Sequence, residues 1–267
     1  MAPVLAALAY PEIDPVALHL GLIAIRWYGL AYLCGFFIAY LILLRMSKRE
    51  SLKIPPDAVA DLMGWIMIGV LAGGRLGWWI FYHRNVGTPE PWWEPIAIWH
   101  GGMSFHGGLV GVILALLLWR WRHGTSFWNL ADAAAVVTPI GLFLGRIANF
   151  LNGELFGRPT NLPWGVIFPG ESFARHPSQI YEAMLEGPVL LLLLWLIRRR
   201  NLATGSTMAA FSFFYGGIRV GVEFTRQPDP QLGFIAFGWL TMGQLLSAGL
   251  IIAGAVVFIW RQRREAR

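Results

Sequence analysis

The chain has 267 residues, of which 56% are hydrophobic and only 13% are charged, and its mean hydropathy is +0.55. In a soluble protein about a quarter of the residues are charged, so this composition excludes a soluble enzyme, a disordered chain and a disulfide scaffold. The 31 Gly and 14 Trp residues fit a membrane protein, because Gly is frequent in membrane helices and Trp collects at membrane interfaces. We therefore expect a polytopic membrane protein.

Seven apolar stretches are long enough to cross a bilayer, which takes roughly 20 helical residues. In chain order they are about 19–44, 58–82, 104–121, 127–151, 177–197, 205–225 and 236–260. The fourth is the weakest because it contains Asn129, Asp132 and Arg146. The connection of residues 152–176 is polar and predicts a small extracytoplasmic head insert. We expect an all-α fold of seven transmembrane helices that forms one integral membrane domain over residues 1–267.

The charged and aromatic residues predict the orientation of these spans. Basic residues cluster after spans one, three, five and seven, namely Arg45, Lys48, Arg49, Lys53, Arg120, Arg122, Arg198, Arg199, Arg200, Arg261, Arg263, Arg264 and Arg267. The positive-inside rule makes that side cytoplasmic, with the N-terminus outside and the C-terminus inside. Trp92, Trp93 and Trp99 in an outer connection are expected to be interfacial anchors. The net charge of +6 is then explained by the basic residues on the cytoplasmic side, and no nucleic-acid binding is expected.

The other basic residues lie in the spans or on the outer side: Arg26, Arg75, Arg84, Arg146, Arg158, Arg175, Arg219 and Arg226. At about 1.5 Å per residue, Arg146 lies roughly 28 Å and Arg219 roughly 21 Å above the cytoplasmic ends of their spans. Ionisable groups at such depth are costly unless paired or hydrated, so they indicate function. Paired guanidinium groups suit a phosphate, and the outer leaflet offers phospholipid headgroups. Snorkelling of Arg146 to the interface is the alternative.

Other polar residues accompany these arginines. Tyr215, Arg219 and Glu223 recur every four residues and so lie on one stripe of a helix. Asn149 and Glu154 follow Arg146 at the end of the fourth span. A purely structural Arg219–Glu223 ion pair is the alternative interpretation of the stripe.

The segment of residues 100–108 is a second candidate site, because glycines flank His106 on both sides. Glycine lets a substrate approach the backbone closely, and a free imidazole can act as acid or base near neutral pH. A structural histidine is the alternative. The glycines spaced by four residues, Gly69, Gly73, Gly77, Gly107, Gly111, Gly141 and Gly145, predict close helix packing. Cys34, the single cysteine, is expected to be a small buried apolar residue, and no metal site or cofactor is expected.

These motifs resemble those of the bacterial prolipoprotein diacylglyceryl transferase family. The run of residues 145–154, continuing to Gly157, resembles the family signature throughout. Further segments that resemble the family are Trp27-Tyr28-Gly29, residues 102–108, 175–181, 226–233 and 239–244, and Tyr215 with Arg219 and Glu223. The matches run from about residue 10 to about residue 245 in the expected order.

The resemblance implies a reaction and a location. Such enzymes transfer the diacylglyceryl group of phosphatidylglycerol to the lipobox cysteine thiol of a prolipoprotein, which is the first step of bacterial lipoprotein maturation. A thioether forms and glycerol 1-phosphate leaves. The implied partners are phosphatidylglycerol, the signal peptide with its lipobox cysteine and the bilayer, with no cofactor. The implied location is the bacterial cytoplasmic membrane, with the active site toward the outer leaflet.

The resemblance also implies roles for single residues. Arg146 and Arg219 bind the headgroup phosphate and stabilise the leaving charge. His106 is the candidate base for the thiol, and Glu154 and Glu223 orient arginines or assist proton transfer. The residues expected to bind the glycerol moiety or to allow a close backbone approach are Tyr28, Asn149, Gly157 and Tyr215.

Other classes stay open at this point. An anion or phospholipid transporter also places arginines in the membrane, but it usually has inverted repeats and helices broken near the midplane. No such repeat is visible in this sequence. A non-catalytic lipid-binding membrane protein would explain the arginines but not the glycine-flanked His106. A different phospholipid-transferring enzyme is the nearest enzymatic alternative.

Overall fold

The structure, a computed structural model, describes residues 7–11, 13–20, 23–81, 91–200, 202–228 and 233–266, with Leu20 and Ile23 described by their backbone alone. Two basic residues used in the topology argument, Arg84 and Arg267, lie outside these ranges, as does part of the 226–233 motif. The chain divides into two compact units. One consists of Met1–Ala39 with Ala134–Arg267, and the other is Tyr40–Ala133.

Helices dominate the described chain, as predicted. They are α1 (Trp27–Lys48), α2 (Ala58–Phe81), α3 (Phe105–His123), α4 (Phe127–Leu151), α5 (Ser178–Met184), α6 (Leu190–Arg198), α7 (Ser206–Glu223) and α8 (Met242–Glu265), and a π-helical turn (Leu185–Val189) joins α5 to α6. Within the described ranges, five helical runs are long and apolar enough to cross a membrane: α1, α2, α4, the continuous run from α5 to α6, and α8. The membrane class is therefore confirmed.

Two further helices, α3 and α7, lie where the remaining spans are predicted, with 19 and 18 residues. Both are less apolar than the five runs above. Helix α3 ends in Arg120, Arg122 and His123, and α7 carries Arg219 and Glu223. A total of seven spans therefore stays a prediction.

The first predicted span begins too early. Its first residues belong to two antiparallel strands, β2 (Val16–Leu20) and β3 (Ile23–Arg26), and α1 starts only at Trp27. Strand β3 carries two isoleucines, and β-branched side chains fit a strand better than a helix. An apolar run alone does not distinguish the two. Cys34, expected to be buried, is exposed on α1.

In the unit Tyr40–Ala133, α2 and α3 pack backbone against backbone. A Cβ atom added at Gly77 would lie 2.7 Å from the Cα atom of Gly107, and one added at Gly111 would overlap the carbonyl oxygen of Gly69. The packing role of these glycines is thereby confirmed, because only glycine allows this approach. Gly141 on α4, interpreted in the same way, has no atom within 4 Å of such a Cβ among the described residues. The same holds for Gly145, although a Cβ added at Gly35 on α1 would lie 3.9 Å from the Cα atom of Gly141. A helix therefore lies near Gly141, but among the described residues neither α4 glycine is needed for a close backbone approach.

In the other unit, short β-structure surrounds the predicted insert of residues 152–176. Strand β1 (Leu8–Ala9) pairs in parallel with β4 (Val166–Ile167), and isolated bridges join Gly157 to Arg226 and Pro159 to Arg175. The hydroxyl of Tyr10 donates to the carbonyl oxygens of Phe150 and Leu151 at the end of α4. The insert is thus tied to the N-terminal strand β1 and to the segment that follows α7. Its side of the membrane stays a prediction.

The α2–α3 contact predicts a specific sensitivity to one methyl group. Gly111→Ala should lower the unfolding free energy by about 1–3 kcal/mol, because overpacking forces the helices apart. Gly64→Ala on α2 is the control, since a Cβ there has no neighbour within 4 Å. Thermal unfolding in detergent should show a lower Tm for Gly111→Ala alone. Equal midpoints for both variants would contradict the close contact.

Candidate functional site

Six charged side chains form one group in the unit that contains residues 134–267. Arg146 comes from α4, Glu182 from α5, and Glu186 from the π-helical turn. Helix α7 supplies Arg219 and Glu223, and Arg226 follows one turn later. We call Arg146, Glu182, Glu186, Arg219, Glu223 and Arg226 the arginine–glutamate cluster.

Glu182 is the centre of the cluster, and its side chain is fully buried. Its Oε2 atom lies 2.8 Å from Nη2 of Arg146 and 2.6 Å from Nη1 of Arg219. Nη1 of Arg226 donates to both carboxylate oxygens at 2.7 Å. One carboxylate therefore joins three guanidinium groups from three different segments, which fixes where these segments meet.

Glu186 is equally buried but more loosely held. The nearest guanidinium atoms are Nη1 of Arg219 at 3.5 Å and Nε of Arg146 at 3.7 Å. Its Oε2 atom is buried and has no hydrogen-bond partner among the described residues. The π-helical turn that carries Glu186 also contains Pro188, which has no N–H to donate to the regular helical ladder.

Glu223 connects the cluster to the start of α8. Its carboxylate lies 3.1 Å from Nη2 of Arg219 and accepts a hydrogen bond from the Thr241 hydroxyl at 3.1 Å. Thr241 is also the N-cap of α8 and forms a capping box with Gln244. A Cβ added at Gly243 would lie 2.8 Å from the Glu223 carboxyl group. The first turn of α8 is therefore built against this carboxylate.

The exposure of the cluster is asymmetric. The side chains of Arg146, Arg219 and Arg226 are 18%, 15% and 13% exposed, whereas those of Glu182 and Glu186 are not exposed at all. The carboxylates thus lie beneath the guanidinium groups. Since each guanidinium has five N–H donors in a rigid fork, the accessible side of the cluster offers donors and positive charge to an anion.

The structure brings several predicted residues to this unit with identifiable partners. Glu154 accepts hydrogen bonds from Asn149 and Asn152 at 2.9 and 3.3 Å. Among the described residues it has no arginine partner, so its predicted orientation of an arginine is not observed here. Tyr215 precedes Arg219 by one turn and stacks on Phe211.

Gly157 does allow a close approach, but of the chain itself. A Cβ there would overlap the carbonyl oxygen of Thr225 and lie 2.8 Å from Cβ of His176. Tyr28 lies on α1 with its ring against that of Tyr32. Roles in substrate binding for these residues stay predictions.

His106 belongs to the unit Tyr40–Ala133. It lies in the first turn of α3, its side chain is exposed, and its ring packs edge-on to that of Phe105. Ser104 caps this helix by accepting a hydrogen bond from the backbone N–H of Gly107. An exposed imidazole on a capped first turn is accessible to a substrate, and its role as a base stays a prediction.

Sequence reasoning missed Glu182 and Glu186 as members of the site. Both lie in an apolar span, four residues apart, and an acidic residue in a span indicates function just as an arginine does. The positive-inside rule directs attention to basic residues only. The two glutamates could therefore have been found by applying the depth argument to both signs of charge.

Arg75, another basic residue against the rule, has a structural explanation in the unit Tyr40–Ala133. It is only 2% exposed, and its Nη2 atom donates to the backbone oxygen and to Oε1 of Glu94 at 2.6 and 2.7 Å. Its Nη1 atom donates to the carbonyl oxygen of Gly101, and its guanidinium lies 4.7 Å from the Trp78 ring centroid. Arg75 thus ties the connection before α3 to α2.

Glu94 has a second partner, His100, whose Nδ1 atom lies 2.9 Å from its carboxylate. The hydrogen bond to His100 and the Arg75 guanidinium lower the pKa of Glu94 below its ordinary value of 4.5, against a smaller opposing effect of burial. A lowered pKa in the folded state stabilises the fold above the ordinary value. That contribution is lost as the pH falls through the lowered pKa.

Comparison with known proteins supplies the family. A family model described as prolipoprotein diacylglyceryl transferase matches residues 15–260. The phosphatidylglycerol–prolipoprotein diacylglyceryl transferase of Pseudomonas paraeruginosa is 46% identical over 262 residues, which cover 97% of each chain. The enzymes of that name from Solidesulfovibrio magneticus and Pseudomonas putida are 46% and 47% identical over 260 and 264 residues, covering 96% and 97% of each chain. The matched range includes the whole arginine–glutamate cluster.

The Glu94 contacts predict a pH-dependent stability difference. Glu94→Gln should lower the Tm in detergent at neutral pH, because it removes a charged partner from the buried Arg75. The difference from the wild type should shrink as the pH falls below 4.5 and through the lowered pKa of Glu94, because the folded wild-type protein then loses the negative charge of this carboxylate. Glu50→Gln, on an exposed residue after α1, is the control. A Tm difference that is constant across this pH range would contradict the assignment.

Proposed function

The chain belongs to the prolipoprotein diacylglyceryl transferase family, and from this premise we propose that its arginine–glutamate cluster binds the phosphate of the lipid donor. The family reaction transfers the diacylglyceryl group of phosphatidylglycerol to a prolipoprotein, the first step of lipoprotein maturation, and the chain is an enzyme of this kind. It is a multi-pass membrane protein. The proposal concerns which residues perform the reaction, and where.

The observation that carries the proposal is the layering of charge in the cluster. Glu182 and Glu186 are fully buried, whereas the side chains of Arg146 and Arg219 stay 18% and 15% exposed, and we assign this exposure to their guanidinium ends. An anion approaching from those ends meets N–H donors before it meets a carboxylate. The glutamates also hold both forks in place before the lipid arrives, so little side-chain freedom is lost on binding.

The same arrangement suits the departure of a phosphate. The prolipoprotein cysteine attacks the glyceryl carbon as a thiolate, so a sulfur–carbon bond forms and the carbon–oxygen bond to phosphate breaks. The bonding electrons remain on the phosphate oxygen, which becomes part of glycerol 1-phosphate. Arg146 and Arg219 stabilise that charge in a site with little water, where fixed cations act most strongly. The thiol proton ends on the released phosphate monoester.

A base is needed because a thiol with a pKa of about 8.5 is mostly protonated near neutral pH. His106 is our candidate, since its exposed ring stands on a capped helix terminus between glycines. Glu223 orients Arg219 at 3.1 Å, and Glu154 holds Asn149. We assign the positioning of the glycerol moiety to Asn149 and to the residues Tyr28, Gly157 and Tyr215.

We further propose that seven helices span the cytoplasmic membrane of a bacterium, with the site toward the outer leaflet. The N-terminus then lies outside and the insert of residues 152–176 forms an extracytoplasmic head. In the connection before α3, Trp92 and Trp99 are 88% and 69% exposed, which supports a membrane interface at this end of the helix, while the orientation itself rests on the basic residues after spans one, three, five and seven. Exposed tryptophans beside a span are typical of the membrane interface. The signal peptide of the substrate would present its lipobox cysteine at this level.

A turnover assay tests the phosphate-binding role. Purified enzyme, phosphatidylglycerol and a lipobox peptide should release glycerol phosphate while the peptide gains a diacylglyceryl group by mass. Arg146→Ala and Arg219→Ala should each lower kcat on the order of 10²–10³-fold, the usual effect of removing one donor to a developing anion. Arg120→Ala is the control, because Arg120 lies in the last turn of α3 and is not a member of the cluster.

Three results would contradict this proposal. They are release without a peptide cysteine, release unaffected by the two cluster variants, and lipid binding without any release. The last would favour a transporter or a lipid-binding protein.

The role of His106 needs its own test. His106→Gln should lower kcat on the order of 10²–10⁴-fold and remove the acidic limb of the kcat–pH profile, because the general base is gone. His123→Gln, at the opposite end of the same helix, should keep the wild-type profile. A His106→Gln enzyme with most of the wild-type kcat would exclude the general-base role.

A further inference from the structure

The formal charges of the arginine–glutamate cluster cancel without a ligand. Three guanidinium groups, on Arg146, Arg219 and Arg226, stand against three carboxylates. A phosphodiester headgroup adds one negative charge to this buried, neutral set. An uncompensated charge is unfavourable in a site of low dielectric, so binding favours the uptake of a proton by one of the carboxylates.

The three carboxylates differ in how firmly they are held as anions. Glu182 receives three guanidinium groups at 2.6–2.8 Å. For Glu223, the Oε2 atom also accepts no hydrogen bond among the described residues, but Nη2 of Arg219 lies 3.1 Å and Nε of Arg226 lies 3.6 Å from it. The Oε1 atom of Glu223 accepts a hydrogen bond from the Thr241 hydroxyl at 3.1 Å. For Glu186 the nearest guanidinium atoms are 3.5 and 3.7 Å away, and its buried Oε2 atom has no hydrogen-bond partner within the described part of the chain.

The surroundings of Glu186 also favour protonation of this residue rather than of Glu182 or Glu223. On its own helical run it follows Glu182 by one turn, and both carboxyl groups are fully buried, so like charges oppose each other. Arg146 faces it from α4, and Arg219 and Tyr215 face it from α7. If a phosphate draws these two guanidinium groups toward itself, Glu186 loses its only cationic neighbours among the described residues.

We infer that Glu186 takes up a proton when the anionic headgroup binds to the cluster, and that it releases this proton when glycerol phosphate leaves. The inference rests on the proposed function, since it assumes that the cluster holds the phosphate. Glu186 does not touch the substrate in this scheme. It is a positioning residue that keeps the two arginines paired in the empty site and stops competing for them in the occupied one.

Proton uptake can be measured on the unaltered protein. We would place the full chain in phosphatidylcholine nanodiscs and add short-chain phosphatidylglycerol, with short-chain phosphatidylcholine as the control lipid. Binding heats in buffers of different ionisation enthalpy give the number of protons taken up. We expect net uptake with phosphatidylglycerol alone. The infrared difference spectrum should then show a new protonated-carboxyl band.

Glu186→Gln assigns the proton to this residue. The neutral amide cannot take up a proton, so the infrared band and the linked uptake should disappear. In the wild type, KM for phosphatidylglycerol should rise by up to tenfold per pH unit over the pH range in which one proton is taken up per lipid bound, and it should level off where uptake ends. The Glu186→Gln profile of KM should be flat. Glu223→Gln is the matched variant, and it should keep the band.

The outcomes separate this inference from the proposed function. Wild-type turnover without proton uptake overturns the inference and leaves the function intact. A band that persists in Glu186→Gln, or that disappears in Glu223→Gln instead, assigns the proton elsewhere and also overturns it. A wild-type protein that binds phosphatidylglycerol without turnover would overturn the proposed function itself. If Glu186→Gln does not fold, the calorimetric uptake of the wild type still decides whether any proton is linked to the lipid.

Discussion

The buried carboxylate of Glu182 is the constraint on which the larger unit depends. A charge without a partner inside a membrane protein is costly, so the position of Glu182 forces cations to meet it there. Arg146, Arg219 and Arg226 do so from α4, from α7 and from the segment after α7. Apolar packing gives little drive for helix association in lipid. The pairing with Glu182 therefore supplies much of the specificity with which these segments meet.

The same pairing serves binding, because stability and function use opposite sides of the same guanidinium groups. Arg146 and Arg219 pair with Glu182, Arg219 also pairs with Glu223, and the two arginine side chains stay 18% and 15% exposed. The unit Tyr40–Ala133 also contains a buried arginine–glutamate pair, but this pair has only a structural role. There the buried Arg75 holds Glu94 and two carbonyl groups, so it has few donors left over. Arg75 therefore departs from the positive-inside rule for a structural reason, and Arg146 and Arg219 depart from it for a functional one.

Much of this architecture could be predicted from residue spacing, and the failures have physical causes. Depth along a helix is a linear count, so the sequence predicts that Arg146 and Arg219 lie deep in their spans, far from the cytoplasmic ends. The start of α1 was wrong because an apolar run with two isoleucines also fits the strand β3. Gly73 and Gly141 share one spacing pattern, yet among the described residues an added Cβ would meet a neighbouring backbone at Gly73 and nothing within 4 Å at Gly141.

The sequence by itself determined the membrane class, the resemblance to the family and the arginines that oppose the positive-inside rule. These follow from composition, helical period and local motifs, which do not depend on how the helices pack. Only the tertiary structure decided that Glu182 is the centre of the cluster, and that Gly157 makes room for the chain itself. Spacing sets the depth and the face of a side chain. The partner of that side chain depends on the distance and rotation between helices, which cannot be derived from residue spacing in a single sequence.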